Sequence, residues 1–224
     1  MIRKIRTYSR DTTLVAERRR QIVKAAARLF LKKGHQDTKT RELCEATGMS
    51  IGALYHYVGS MRDIHYLVLE YTLEDQAILI NRISREVNEL PVVDAIEASL
   101  KMYLMNVDEL QDIYSFANHG ATDLLRSDKP IVFEAELQIS NYFESILKKG
   151  IESGEFKIVN PKLVAHNIVL IANAWAQRQW LLGKQYSLDE YIKQQTEYIL
   201  QSICVKPVSK DGDMLEKMSL ASQK

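Results

Sequence analysis

Residues 47–57 read TGMSIGALYHY, and two of these eleven positions are glycines, in a chain whose apolar residues otherwise recur at helical spacing. Glycine inside a helix costs about 1 kcal/mol relative to alanine, so Gly48 marks a break between helices. Before it, Ile22, Val23, Ala26, Leu29 and Phe30 follow the i, i+3, i+4, i+7 repeat of an amphipathic helix that starts at Arg18 and stops at Gly34. A second, short helix is predicted with Thr38 or Thr40 as N-cap and Leu43, Cys44 and Ala46 on its buried side. Ser50 opens a third, with Leu54 and Val58 pointing inward one turn apart. Two short helices joined by a tight glycine turn form a helix-turn-helix, and the positive φ open to Gly48 lets the second leave steeply.

The rest of the chain is helical with punctuation. Ser60 caps a long helix to about Val87, with Asp63 at the capping-box position. Further helices are predicted from Asp94 past Tyr103, over DIYSFANHGATDLL with a break near Gly120, and from Pro130 to Ser153. Asn160 followed by Pro161 starts another that runs to Gly183, and the capping box Ser187–Glu190 starts the last, which ends near Cys204. The expectation is an all-α chain of about nine helices without strands. Residues 1–17 are expected to form a flexible basic arm, 18–66 a three-helix helix-turn-helix domain, 67–204 a larger helical domain, and 205–224 a disordered tail.

Charge separates the same regions. Residues 1–62 hold 14 Lys and Arg against 5 Asp and Glu, a net of +9; residues 63–224 hold 16 against 24, a net of −8. A polyanion is drawn to the first quarter and repelled by the remainder. No apolar run approaches the roughly 20 residues of a membrane span, and the basic start lacks a signal-type apolar stretch, so a cytoplasmic protein is expected. Cys44 and Cys204 suit free thiols in a reducing compartment. None of the five histidines has a Glu three positions before it, and no phosphate-cradling loop, zinc spacing or Gly-x-Ser-x-Gly elbow occurs. No catalytic residue, metal or cofactor is therefore expected.

A helix-turn-helix on a basic unit points to duplex DNA. Ser50 caps the recognition helix and leaves amide donors near a phosphate, while Gly52 and Ala53 are small enough to let that helix sink into a major groove. Tyr55, His56 and Tyr57 then offer hydroxyl and imidazole groups at the groove edge.

The stretch from Arg20 to Tyr66 resembles the tetracycline-repressor (TetR-type) transcriptional regulators. The likeness rests on Ala25-Ala26-x-x-Leu29-Phe30, Gly34, Thr38, Gly48, Ser50-x-Gly52, Leu54-Tyr55 and the Ser60 cap. It implies that Thr40 and Tyr55 meet phosphates, with Thr38 and Lys39 in the same interface. Ser50, Ile51, Ala53 and His56 would face the groove floor, and Tyr57 its edge, with Gly52 among the DNA-binding residues as the small one that lets the helix sink. Three positions depart from the pattern: Met61 stands where the family often has Lys, Val58 where it has Phe, and Ile51 where a basic or polar residue is common. Ile51 would contact a thymine methyl instead of donating a hydrogen bond. The basic arm (Arg3, Lys4, Arg6, Arg10) would reach a neighbouring minor groove.

The resemblance also implies a homodimer built by the last two long helices, here roughly 161–182 and 188–204, bound to a palindromic operator. The first of these is apolar on more than one face, from Leu163 to Ala176, which suits burial on two sides. Met102, Tyr103, Phe116, Asn118, His119, Asn173, Trp175 and Arg178 are the candidate lining of an effector site, with Arg126 and Trp180 near it. Packing alone would explain the Met and aromatic stripe; the polar members carry the ligand reading. The C-terminal pattern FANHGATDLL…SGEF…NP…W…RQW is loosely similar to the subgroup that responds to acyl-coenzyme A thioesters. A repressor released by such a hydrophobic effector is the expectation. A drug or other metabolite is the competing effector class, and a helical adaptor that binds no DNA is the competing protein class.

Overall fold

The computed structural model describes residues 5, 7, 8, 11–119 and 129–205, without the side chain of His119. Nine helices are present among them: α1 (Thr12–Lys33), α2 (Thr40–Thr47), α3 (Ile51–Tyr57), α4 (Met61–Val87), α5 (Val92–Glu109), α6 (Gln111–His119), α7 (Lys129–Glu152), α8 (Pro161–Leu182) and α9 (Leu188–Ile203). The described residues contain no strand, only a single antiparallel bridge between Phe156 and Cys204. The all-α class expected from periodicity is the one found.

Caps set most helix starts. Ser50, Ser60, Asn160 and Ser187 each accept the amide of the residue three positions on, and Pro161 follows Asn160 at the first helical position. Three starts differ from the sequence expectation: α2 is capped by Lys39 and not by Thr38 or Thr40, and two helices begin earlier than expected. α1 begins at Thr12 with Asp11 as its cap, not at Arg18, because its first turn lies on the surface and only Val15 is buried there. The arm expected over residues 1–17 is therefore shorter. α5 begins at Val92 behind Pro91, two residues before Asp94. The boundary expected at residue 66 falls inside α4, which runs unbroken from one unit into the other. The break near Gly120 and the tail from residue 206 lie outside the described residues.

In the first unit Ile22, Ala26, Phe30, Leu43, Leu54 and Val58 meet in a common core. Ala46 faces solvent, and the buried position next to it is Thr47, whose hydroxyl donates to the Leu43 carbonyl. In the second unit α5 lies centrally, touching α4, α6, α7, α8 and α9. Tyr103, Phe143, Leu100, Ile139 and Ala172 are fully buried there. Each large apolar side chain so enclosed contributes roughly 1.5–3 kcal/mol. α6 packs on α1 as well as on α8, so it joins the two units alongside α4.

Candidate nucleic-acid interface

α2 ends at Gly48, which has φ 67° and ψ 18°. An L side chain there would meet no atom within 4 Å, so only the left-handed backbone selects glycine. The turn aims α3 outward. Ser50 Oγ accepts the Ala53 amide at 3.1 Å, and Leu54 and Val58 anchor the helix from below with no exposed surface. What faces away from that anchor is Ile51, half exposed, and Gly52, whose added Cβ would also meet nothing within 4 Å. Lys39 and Ser50 are exposed beside them. The outer face is thus small and apolar at its start, with a cation at its margin.

The Tyr55 hydroxyl lies 2.9 Å from that of Thr40, joining α3 to the first residue of α2. His56 and Tyr57 stand edge to face at 5.2 Å, and Tyr8 tilts over His56 at 6.1 Å. Ala53, Tyr55, His56 and Tyr57 are half buried. Thr38 corrects the expectation: it is buried, and its hydroxyl donates to the Gly34 carbonyl at 2.8 Å, so it supports the turn after α1 instead of pointing to a phosphate. The N-cap of α2 is Lys39, whose amide donates to the Glu42 carboxylate at 2.8 Å. Glu42 also pairs with Lys33; that hydrogen bond, then the Lys39 amide, holds its carboxyl below the usual range.

The sequence reading missed Arg19. Its Nε donates to the Tyr57 carbonyl at 3.0 Å and its Nη2 to the Ile5 carbonyl at 3.1 Å. Ile5 is buried in the core, and that single apolar residue between Lys4 and Arg6 was the available signal. The basic side chains of Arg3, Lys4, Arg6 and Arg10 lie outside the described residues.

The candidate effector residues do not form one set. Tyr103 on α5 and Asn173 on α8 are buried. The Tyr103 hydroxyl and Asn173 Oδ1 have no hydrogen-bond partner among the described residues. Burial pushes the Tyr103 phenol far up, with Glu136 and Asp75 adding to it. Asn118 on α6 reaches Asn173 at 3.5 Å and donates to the Tyr114 carbonyl at 2.9 Å. Met102 is half buried. Phe116 turns the other way, 5.3 Å from both Phe30 of α1 and His65 of α4. Trp175 is a structural tie: its indole N–H donates to Asp108 at 2.7 Å and its ring lies 4.9 Å from Tyr191. Arg178 is exposed at a kink in α8, and Trp180 is exposed beyond it. The side chain of His119 and all of Arg126 lie outside the described residues.

Beside this interior, Asp75 of α4 accepts from Asn106 at 2.7 Å and from the Tyr114 hydroxyl at 3.3 Å, linking α4, α5 and α6. Desolvation raises the Asp75 pKa, and those two hydrogen bonds oppose it. An open groove of about 630 Å³ runs between α1 and α4 over Arg19, Arg20, Leu67, Glu70 and Glu74, away from Tyr103 and Asn173. On the far side, α8 and α9 expose Leu170 and Tyr198 around a groove of about 360 Å³ that also includes Val164, Ile171 and Ile199. Among the described residues no three or more His, Cys, Asp or Glu gather as metal ligands, and no helix is long and apolar enough to cross a membrane.

Comparison with known proteins places this geometry. Residues 22–65 match the family model of the bacterial regulatory proteins, tetR family. The chain is 28% identical over 192 residues to the HTH-type transcriptional regulator HbdR of Aromatoleum sp. (strain CIB), covering 85% of this chain and 82% of that protein. It is 24% identical over 203 residues to the HTH-type transcriptional repressor KstR2 of Rhodococcus jostii (strain RHA1), covering 86% and 94%. The fold is shared with the transcriptional regulator FadR from Bacillus subtilis, solved in complex with stearoyl-CoA. The TM-score is 0.66 at 16% identity, over 82% of this chain and 98% of that one.

Proposed function

We propose that this chain, whose residues 22–65 match the family model of the bacterial regulatory proteins, tetR family, is a cytoplasmic repressor that binds a palindromic operator as a homodimer and is released by a hydrophobic effector. The observation that carries the DNA reading is the outward face of α3. Ile51 and Gly52 project beyond an anchored Leu54 and Val58, on a unit with a net charge of +9 over its first 62 residues. A major groove admits such a helix, and the surrounding cations neutralise phosphates. Lys39, Thr40, Ser50, Ile51, Gly52, Ala53, Tyr55, His56 and Tyr57 form the DNA surface in this reading.

The effector enters among α5, α6 and α8, where Tyr103, Asn118 and Asn173 bring polar groups to an apolar interior. A long-chain acyl-CoA is the favoured class, supported by the stearoyl-CoA bound to the FadR fold relative. Two routes carry the signal to α3: α4, which is capped by Ser60 just behind it, and α6, whose Phe116 presses on Phe30. An effector favouring a conformation with the two recognition helices out of register weakens operator binding tenfold for about 1.4 kcal/mol, and the operator weakens the effector equally. The exposed α8–α9 face with Leu170 and Tyr198 supplies the dimer contact in this scheme, and the two-fold axis sets half-site spacing.

The test is selection of bound genomic DNA by the full-length protein, followed by release assays with acyl-CoA thioesters of graded chain length and with lipophilic drugs. Enrichment of a palindrome and release by acyl-CoAs alone support the full proposal. Release by drugs replaces the effector class, and no enriched DNA refutes the repressor reading in favour of an adaptor.

A further inference from the structure

Five buried side-chain oxygens have no hydrogen-bond partner among the described residues: Gln76 Oε1 on α4, the Tyr103 hydroxyl on α5, Gln138 Oε1 on α7, Asn173 Oδ1 on α8 and the Thr196 hydroxyl on α9. None of them lies in the helix-turn-helix unit. Folded chains leave few such atoms, because each has lost its solvation with nothing in return. Two of the five are joined through α6. The Tyr103 ring lies 6.4 Å from that of Tyr114, the Tyr114 carbonyl accepts the Asn118 amide at 2.9 Å, and Asn118 Oδ1 accepts from Asn173 at 3.5 Å. Asn173 thus uses a donor on Asn118 and keeps its acceptor unpaired. Burial pushes the Tyr103 phenol far up, so it stays a donor across the neutral range. The carboxyl groups that act on it, Glu136 and Asp75, stand on α7 and α4, the helices that carry Gln138 and Gln76.

The chemistry of the set is lopsided. Three of the five atoms are amide oxygens, which only accept, and the other two are hydroxyls, which do either. An alkyl chain offers none of them a proton. We propose that the effector carries a hydroxyl at its interior end, held at Tyr103 and Asn173, so that the class this site selects is a hydroxylated acyl thioester and not a plain fatty acyl one. This deepens the effector reading above and rests on it. The coenzyme A end is charged and stays toward solvent, which leaves the ω end of the acyl chain to reach the interior. There its hydroxyl gives a proton to the Asn173 amide oxygen and accepts one from Tyr103.

The experiment titrates the full-length protein calorimetrically with octanoyl-, lauroyl- and palmitoyl-CoA, each paired with its ω-hydroxy counterpart. Tyr103→Phe and Asn173→Leu are titrated in the same way, and thermal melts establish that they fold. In the pair whose chain reaches these oxygens, wild type is expected to bind the hydroxylated member about tenfold more tightly or better. Loss of that preference in either variant supports the proposal and names the group that holds the hydroxyl. Equal binding within every pair, the result expected if solvent serves these oxygens, overturns it, as does a preference that survives both substitutions. If one variant does not fold, the wild-type pairs and the other variant decide by the same readouts. Binding of the alkyl thioesters alone sinks this inference and leaves the acyl-CoA class standing; binding of no thioester sinks both.

Discussion

The hydroxyls of Tyr55 and Thr40 stand 2.9 Å apart, one on the recognition helix and one on the first turn of the helix before it. Both were expected to meet phosphates from the sequence, and the structure joins them to each other first. The bond fixes the crossing of α2 and α3 and leaves each oxygen with capacity for a further partner.

Tyr55→Phe and Thr40→Val each break this bond, so each is expected to weaken operator binding several-fold with little loss of folding stability. Their effects should couple. A double-mutant cycle on operator affinity is expected to return an interaction of about 1 kcal/mol. Strict additivity would mean that the two hydroxyls act on DNA independently.

The two glycines of the turn should behave oppositely. Gly48→Ala forces an L residue into the left-handed region and is expected to destabilise by roughly 1–2 kcal/mol in denaturant unfolding, all of it local backbone strain and none from a clash with other residues. Gly52→Ala lies in open space on a helix and is expected to stabilise by up to about 1 kcal/mol. If α3 sinks into a groove, Gly52→Ala nevertheless loses operator affinity. Stabilisation combined with unchanged binding would show that no surface approaches Gly52 closely.

The buried Tyr103 hydroxyl has no partner among the described residues, and an unpaired buried hydroxyl costs free energy, so Tyr103→Phe is expected to leave the effector-free protein as stable as wild type or more so. The same change should weaken the effector if Tyr103 hydrogen-bonds it. Thermal shift with and without the releasing ligand reads both. A clear destabilisation of the free protein would reveal a structural partner for this hydroxyl and remove Tyr103 from the effector site.

Asp75 gives a pH signature. Its folded-state pKa is raised by desolvation, so the folded chain holds this proton more tightly than the unfolded one. The resulting stabilisation is complete below the ordinary Asp value of about 4 and is lost as pH rises through the folded value. Asp75→Asn removes this titration while keeping an acceptor for Asn106. The melting temperature of wild type relative to Asp75→Asn should therefore fall from pH 4 toward neutrality, whereas a constant difference would contradict the raised value.

Much of this was legible in the chain because short-range physics wrote it. Gly48 and the serines at 50, 60 and 187 are local devices with fixed spacing, and each acts in the structure as its residue type dictates. The start of α1 was missed because Thr12 and Thr13 carry no apolar signal. Phe116 and Trp175 show what periodicity cannot supply. Both read as inward-facing aromatics, yet one packs toward α1 and the other ties α8 to Asp108 on α5. Choosing between those partners needs the three-dimensional arrangement of helices distant in sequence. Arg19 was invisible for the same reason, since its acceptors are backbone carbonyls 14 and 38 residues away.

The most direct measurement is the affinity of the full-length protein for its selected DNA as salt is raised from 50 to 200 mM. A groove-bound α3 flanked by cations on phosphates predicts a linear fall of log affinity with log salt. The loss should be about a thousandfold or more if some six phosphates are contacted. An affinity indifferent to salt, or no fragment retained at any salt, would contradict a DNA-reading role for α3.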